Sequence, residues 1–245
     1  MSRHLSGRLN FVREDLSYRE WYSRKCGCVV KGRRRYDGSR RQVRTRLTRA
    51  AVIEAARSLF FERGYAATTV DAISDLSGTS PATVYRLFSS KLGILKALLD
   101  VSVVADDAPV ALWERPHTRA LLDDPDPRQQ LAGFARLVRD VQSRVTPLYR
   151  ILVGAASSDP EAAVLLADYT RQRQQGQGRV ARSLFRAGAL RPPLRERDAA
   201  DVIHALASPE LYHLLTVDRG WTPDRFERWL RGILTEHLLP EHDTR

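Results

Sequence analysis

Between Thr69 and Lys91 the chain concentrates short hydrogen-bonding side chains and fixed cations: Thr69, Thr79, Ser80, Thr83, Tyr85, Arg86 and Lys91. No nucleophile–base pair and no metal-ligand cluster stands among them. Three of them, Thr83, Tyr85 and Arg86, fall within one short segment. Ser80-Pro81 is a cap-plus-proline helix start, and Val84 and Phe88, four apart, mark an apolar face with Leu87 beside it. A helix over 81–88 then leaves Ala82, Thr83, Tyr85 and Arg86 facing outward. Such a helix is about 12 Å long, matching a major groove about 12 Å wide. Its start contributes backbone N–H groups and a partial positive charge, both suited to a phosphate.

The elements around this segment are equally marked. Thr48 is read as the cap of a first helix that Gly64 stops, with Val52, Ile53, Ala56, Leu59 and Phe60 on its apolar face. Thr69 caps a short second helix through Ser77, and Gly78-Thr79 makes a tight turn before the helix over 81–88. Ser89 or Ser90 opens a fourth helix carrying Lys91, Leu92, Ile94, Leu95, Leu98 and Leu99. Three short helices with a glycine turn before the third have the form of a helix-turn-helix. Spacing alone does not separate that reading from a capped helical hairpin on a protein surface.

Beyond residue 105 the periods stay helical, and no β alternation interrupts them, so the fold class is all-α. Helices are expected over 110–122, 127–144, 147–157, 160–187, 198–217 and 223–239, with Pro209 kinking or splitting the fifth after Ala207. Trp113, Phe134, Tyr149, Tyr169 and Phe185 fall on the middle helices, mostly as core. His204 and His213 read as hydrogen-bonded core or interface residues, and Asp123-Asp124-Pro125-Asp126 as a solvated turn. Cys26 and Cys28 form no recognisable metal set and read as two accessible thiols. No metal, no cofactor and no enzymatic activity are expected.

Charge is unevenly placed. Residues 1–46 hold 14 Lys/Arg against four Asp/Glu, whereas the other 199 residues hold 26 against 25. A basic arm on a nearly neutral body favours a polyanion, nucleic acid or an acidic membrane surface, as partner. The body lacks cysteine, no apolar run approaches a membrane span, and residues 1–25 carry no signal-peptide segment, so a cytoplasmic protein is expected. Met1 is the only methionine, which leaves open a start at Val29, Val30 or Val43 and an arm that is an upstream misassignment.

Taken together, Ile53, Ala56, Leu59-Phe60, Gly64-Tyr65, Thr68-Thr69-Val70, Ile73, Gly78-Thr79-Ser80, Thr83-Val84-Tyr85, Phe88, Ser90-Lys91 and Leu95 resemble the DNA-binding domain of the tetracycline-repressor (TetR/AcrR) family. The resemblance covers about residues 46–100. It extends more loosely to Pro209-Glu210-Leu211-Tyr212, Gly220-Trp221-Thr222 and Phe226-Glu227-Arg228-Trp229, which look like the last two helices of many members. Beside the basic arm that charge marks over 1–45, it implies a helix-turn-helix domain over 46–100 and a helical effector-binding and dimerisation domain over 101–245. The function implied is a sequence-specific transcriptional regulator, a homodimeric repressor on a palindromic double-stranded operator, released by a small-molecule effector. The alternative is a regulator without an effector, whose C-terminal domain serves dimerisation or a protein partner. No membrane partner is implied.

Site roles follow position by position. Thr69 and Lys91 would bind phosphates; Thr79, Ser80, Ala82, Thr83 and Arg86 would approach base edges or flanking phosphates. Tyr85 would offer its hydroxyl to a phosphate, and Arg46, just before the first helix, would reach the backbone or minor groove. Ala82 departs from the family's usual glycine and Leu87 from a frequent histidine. Trp113, Phe134, Tyr149, Tyr169 and Phe185 would line the effector cavity, with the two tyrosines as polar handles. The apolar positions of the last two helices, including Ile203, Leu214, Phe226 and Trp229, would form a two-fold interface.

Overall fold

Cap-plus-proline starts, glycine stops and apolar periods become helices almost throughout. The computed structural model describes residues 38–105 and 110–241, with side chains from residue 41 onward, and no strand occurs among them. The Cys26/Cys28 pair, a short helix considered around 12–22, and most of the basic arm lie outside the described residues.

α1 runs Gly38–Ala67, α2 Val70–Ser77, α3 Pro81–Phe88 and α4 Lys91–Val104. Thr69 caps α2 by accepting the N–H of Ala72, and Ser90 caps α4 by accepting that of Gly93. Gly78 closes α2 at φ 62°, a left-handed conformation that favours glycine. α1 begins ten residues before the cap expected at Thr48. That hydroxyl instead donates to the Arg44 carbonyl within the helix, a local bond that satisfies it without ending the helix. The expected stop at Gly64 is present as a break, with φ 76° and ψ 169°. The Thr68 hydroxyl, fully buried, donates to the Gly64 carbonyl (2.8 Å) and lies 3.2 Å from that of Leu59, binding the broken end together.

After a short 3₁₀ turn at Leu112–Glu114 come α5 (Pro116–Leu122), α6 (Pro127–Ala156), α7 (Pro160–Arg186), α8 (Glu196–Leu206), α9 (Pro209–His213) and α10 (Pro223–Leu238). The two helices expected over 127–157 are one. Pro147 lies inside α6 on its exposed side, where the Ser143 carbonyl it deprives of a partner stays open to water. The split expected at Pro209 is present, and α9 unwinds into a π turn at Leu214–Asp218. Asp124 and Asp126 accept backbone N–H bonds from Asp126 and Arg128, forming the solvated turn read from the sequence.

Two buried clusters organise these elements. The first joins Val52, Ala56 and Phe60 of α1, Ile73 of α2, Val84 and Phe88 of α3, and Ile94, Leu95 and Leu98 of α4 to Val145, Leu148 and Leu152 of α6. The second joins the first half of α6 and the end of α7 to α8, α9 and α10 through Phe134, Leu184, Ile203, Tyr212, Phe226 and Leu230. α6, 30 residues and about 45 Å long, belongs to both. No helix among the described residues is long and apolar enough to cross a membrane.

Candidate nucleic-acid interface and internal cavity

α3 is held by its inner face and by its C-terminal end. Val84 and Phe88 are buried, while Ala82, Tyr85 and Arg86 are exposed and Thr83 is half-buried. Arg49 of α1 grips the end of the helix: its guanidinium lies 4.5 Å from the centre of the Phe88 ring and donates to the Leu87 carbonyl at 3.3 Å. After Phe88 the chain reverses through Ser89 at φ 64° and enters α4 so closely that a Cβ on Gly93 would lie 1.9 Å from the Phe88 carbonyl oxygen. Only glycine fits there. α3 is therefore a rigid, outward-presented rod.

The residues expected to meet DNA divide into two sets. Thr69 at the start of α2 is exposed, as are Ser80, Ala82, Tyr85 and Arg86; Thr79 and Thr83 are half-buried beside them. Ser80 stands at the N-cap position, yet its hydroxyl donates to the Thr83 hydroxyl at 3.0 Å and makes no capping bond. The first turn of α3 thus carries no side-chain cap. Arg46 is exposed but sits inside α1 rather than before it. Lys91 is placed differently from the others. Its ammonium donates to the carbonyls of Tyr65 (2.7 Å) and Thr68 (2.8 Å), and lies 4.2 Å from the centre of the Tyr65 ring. Two of its three donors are thereby spent on the end of α1, and burial lowers its pKa.

A second site lies inside the body. A cavity of about 400 Å³ opens among the end of α4, residues 110–113, α6 and α7. Val103, Val104, Leu112, Trp113, Phe134 and Val138 give it an apolar wall, and Tyr169, Arg173, Gln142, Gln172 and Gln177 add polar groups. The Trp113 indole packs directly on Gly176, where a Cβ would come within 2.1 Å of the indole nitrogen. Trp113, Phe134 and Tyr169 line this space as expected of them. Tyr149 and Phe185 do not. Tyr149 is buried beside Tyr169 and donates its hydroxyl to Glu210 at 2.5 Å, which turns it towards α9. Phe185 is 51 % exposed because its neighbour Leu184 takes the inward position on α7. Burial holds Tyr169 protonated, its pKa pushed up to about 12.

Next to the cavity the break between α8 and α9 leaves the Ala207 carbonyl without a helical partner. Gln142 of α6 donates to it at 2.8 Å and Gln177 of α7 approaches at 3.4 Å. The Gln177 carbonyl faces Nδ1 of His204 at 2.9 Å, and Arg173 reaches the His204 carbonyl and Nε2, each at 3.1 Å. Arg173 can only donate, so Nε2 accepts and Nδ1 carries the proton. Burial first and the adjacent guanidinium second lower the His204 pKa. Arg173, Gln142, Gln177 and Arg49 were not singled out in the sequence. A signal was present for the cavity pair: Tyr169, Arg173 and Gln177 stand at i, i+4 and i+8, in line with the inward-facing Val180, Ala181 and Leu184.

Residues 52–98 match the family model described as bacterial regulatory proteins, tetR family. The chain is 28 % identical over 169 residues to the HTH-type transcriptional regulator YdeS of Bacillus subtilis, covering 69 % of this chain and 78 % of that one. It is 31 % identical over 148 residues to the HTH-type transcriptional regulator TcmR of Streptomyces glaucescens, covering 58 % and 61 %. In fold it is similar to SmeT solved as a triclosan complex (TM-score 0.58, 18 % identity, 79 % of this chain and 92 % of that one). It is likewise similar to the ketosteroid regulator KstR2 of Mycobacterium tuberculosis (TM-score 0.54, 20 % identity, 79 % and 95 %).

Proposed function

We propose that this chain, whose residues 52–98 match the tetR family of bacterial regulatory proteins, is a DNA-binding transcriptional regulator that acts as a homodimeric repressor released from its operator by a small molecule. The observation that carries this reading is the outward face of α3. Ala82, Tyr85 and Arg86 are exposed on a helix locked by Val84, Phe88, Arg49 and the Gly93 contact. α3 enters the major groove, Thr83 and Arg86 meet base edges, and Thr69 and Tyr85 fix the register on phosphates.

Two such helices must stand about 34–36 Å apart to read a palindromic operator, which calls for a dimer. The face offered by α8 to α10 suits one. Ile203, Phe226, Leu230 and Leu234 turn into the chain's own core, whereas Leu214 and Val217 are 48 % and 63 % exposed, and Leu211, Trp229 and Ile233 are half-buried. α4 links the effector cavity to the reading head. Its first residue, Lys91, holds the end of α1, and its last turns line the cavity through Asp100, Val103 and Val104. Arg144 of α6 clasps that end by donating to the Ser102 carbonyl at 2.9 Å. A ligand that binds one arrangement of α4 more tightly lowers operator affinity by that preference. A regulator lacking an effector would need no such space in its body, and SmeT, similar in fold, forms a complex with triclosan, which supports the effector reading. No step of this reading is catalytic.

The test is a binding titration on the DNA upstream of the protein's own coding region and on its single-base variants. Thr83→Ala and Arg86→Ala should change base preference by about 1–3 kcal/mol per contact. Tyr85→Ala should weaken all sequences alike. Unchanged affinity and preference in all three variants refutes the assignment of α3.

A further inference from the structure

We infer that the ligand of the internal cavity is an amphipathic organic anion, its carboxylate or equivalent group received by Arg173 and its apolar remainder by the Trp113–Phe134–Val138 wall. The inference rests on the effector reading and specifies its chemistry. Arg173 is the one cation among the cavity's lining residues. Its terminal nitrogens reach only the carbonyl and ring of His204, both uncharged acceptors, and its Nε is buried without a partner. The residue is half-buried with its Nε shut off from water, and a partly desolvated guanidinium is stabilised by a facing carboxylate.

The nearby carboxylates are committed elsewhere. Asp100, across the cavity on α4, pairs with Lys96 at 2.6 Å, and Glu210 accepts the Tyr149 hydroxyl and acts on Arg173 only from beyond contact. No carboxylate stands within ion-pair distance of Arg173 among the described residues. A ligand anion would supply the missing partner, and the planar fork of donors suits a carboxylate in particular. Burial lowers the Arg173 pKa, but a guanidinium stays charged at every physiological pH. The same contact gives the ligand a purchase on the fold. An anion that draws Arg173 away from His204 releases α8 three residues before the break at Ala207 that separates it from α9.

The experiment compares three probes of one shape on the full chain by calorimetry: 2-naphthoate, 2-naphthamide and 2-naphthylmethylamine. The expected order is carboxylate, amide, ammonium, with naphthoate bound about tenfold or more tightly than the amide. Arg173→Gln should abolish that preference while the amide still binds, which also shows that the cavity remains intact. Arg173→Lys, which keeps the charge, should retain part of it. The inference is overturned if wild-type protein binds amide or ammonium as tightly as carboxylate, if Arg173→Gln keeps the preference, or if naphthoate does not bind at millimolar concentration. The effector reading is scored separately. A carboxylate that binds through Arg173 yet leaves operator retention unchanged sustains the anion site and refutes its regulatory use.

Discussion

Replacing Lys91 by methionine separates two roles that its position allows, tying down the end of α1 and binding a DNA phosphate. In the structure the ammonium donates to two carbonyls, 26 and 23 residues away in sequence, at 2.7 and 2.8 Å, and covers the Tyr65 ring. Hydrogen bonds involving a charged group contribute about 1.5–3 kcal/mol each, less where water competes, and Lys91 is only half-buried. Allowing for that, the two bonds and the ring contact together stabilise the fold by about 2–3 kcal/mol. Methionine keeps the length and apolar stem, so the loss isolates the ammonium. In a chain of this size about 2–3 kcal/mol corresponds to a fall in Tm of about 5–10 °C. The assay is thermal unfolding of the DNA-free protein, followed by operator titration across a salt series. A phosphate contact alone would instead leave Tm unchanged and reduce the slope of log affinity against log salt by about 0.9. A Tm equal to that of the wild type refutes the anchoring role derived from the structure.

Three further outcomes are expected. Ser89→Gly should raise stability by about 1 kcal/mol, since φ 64° strains a side-chain-bearing residue and not glycine; urea unfolding with no gain would remove the strain argument. His204 has its pKa lowered below 6.5 in the native state, so the unfolded chain binds more protons as pH falls past that value. Native stability should therefore be full above pH 6.5 and decline below it, and His204→Gln should shrink the difference between urea midpoints at pH 7.5 and 5.5. Leu214→Asp with Val217→Asp, on the exposed apolar face, should give folded monomers by sedimentation and lose most operator affinity; a double variant that stays dimeric moves the interface elsewhere.

Local chemistry made the reading head legible. Thr69, Ser90, Gly78 and the Ser80-Pro81 pair each act through neighbours within about four residues, and each stands where the sequence put it. Other features depend on partners that local pattern does not reveal. Thr48 resembles a cap until its hydroxyl finds the Arg44 carbonyl, and Pro147 resembles a stop until the exposed side of α6 proves able to tolerate it. Tyr149 and Phe185 are expected to line the cavity because they are aromatic and stand on the middle helices that the resemblance places around it. The first is turned aside by Glu210, 61 residues away, and the second by the angular step from Leu184. Arg173 does not stand out in the sequence, because a long basic residue on a helix ordinarily faces water. The place of Lys91 follows from the break at Gly64, which brings two carbonyls within its reach.

The cluster that joins α1–α4 to α6 also bears on engineering. Regulators of this architecture invite the exchange of reading heads, so that one operator is placed under the control of another ligand. A junction chosen after residue 100 would sever no secondary structure except α4. It would, however, cut through buried contacts in which Ile94, Leu95 and Leu98 meet Val145, Leu148 and Leu152. A transplanted head would then present an apolar face shaped for a different partner, and the recipient body would do the same. A working chimera has to carry the inward residues of 145–155 with the head, or re-fit them to it. The separable unit is thus a head together with the segment of α6 on which it rests, although some forty residues stand between them in the chain.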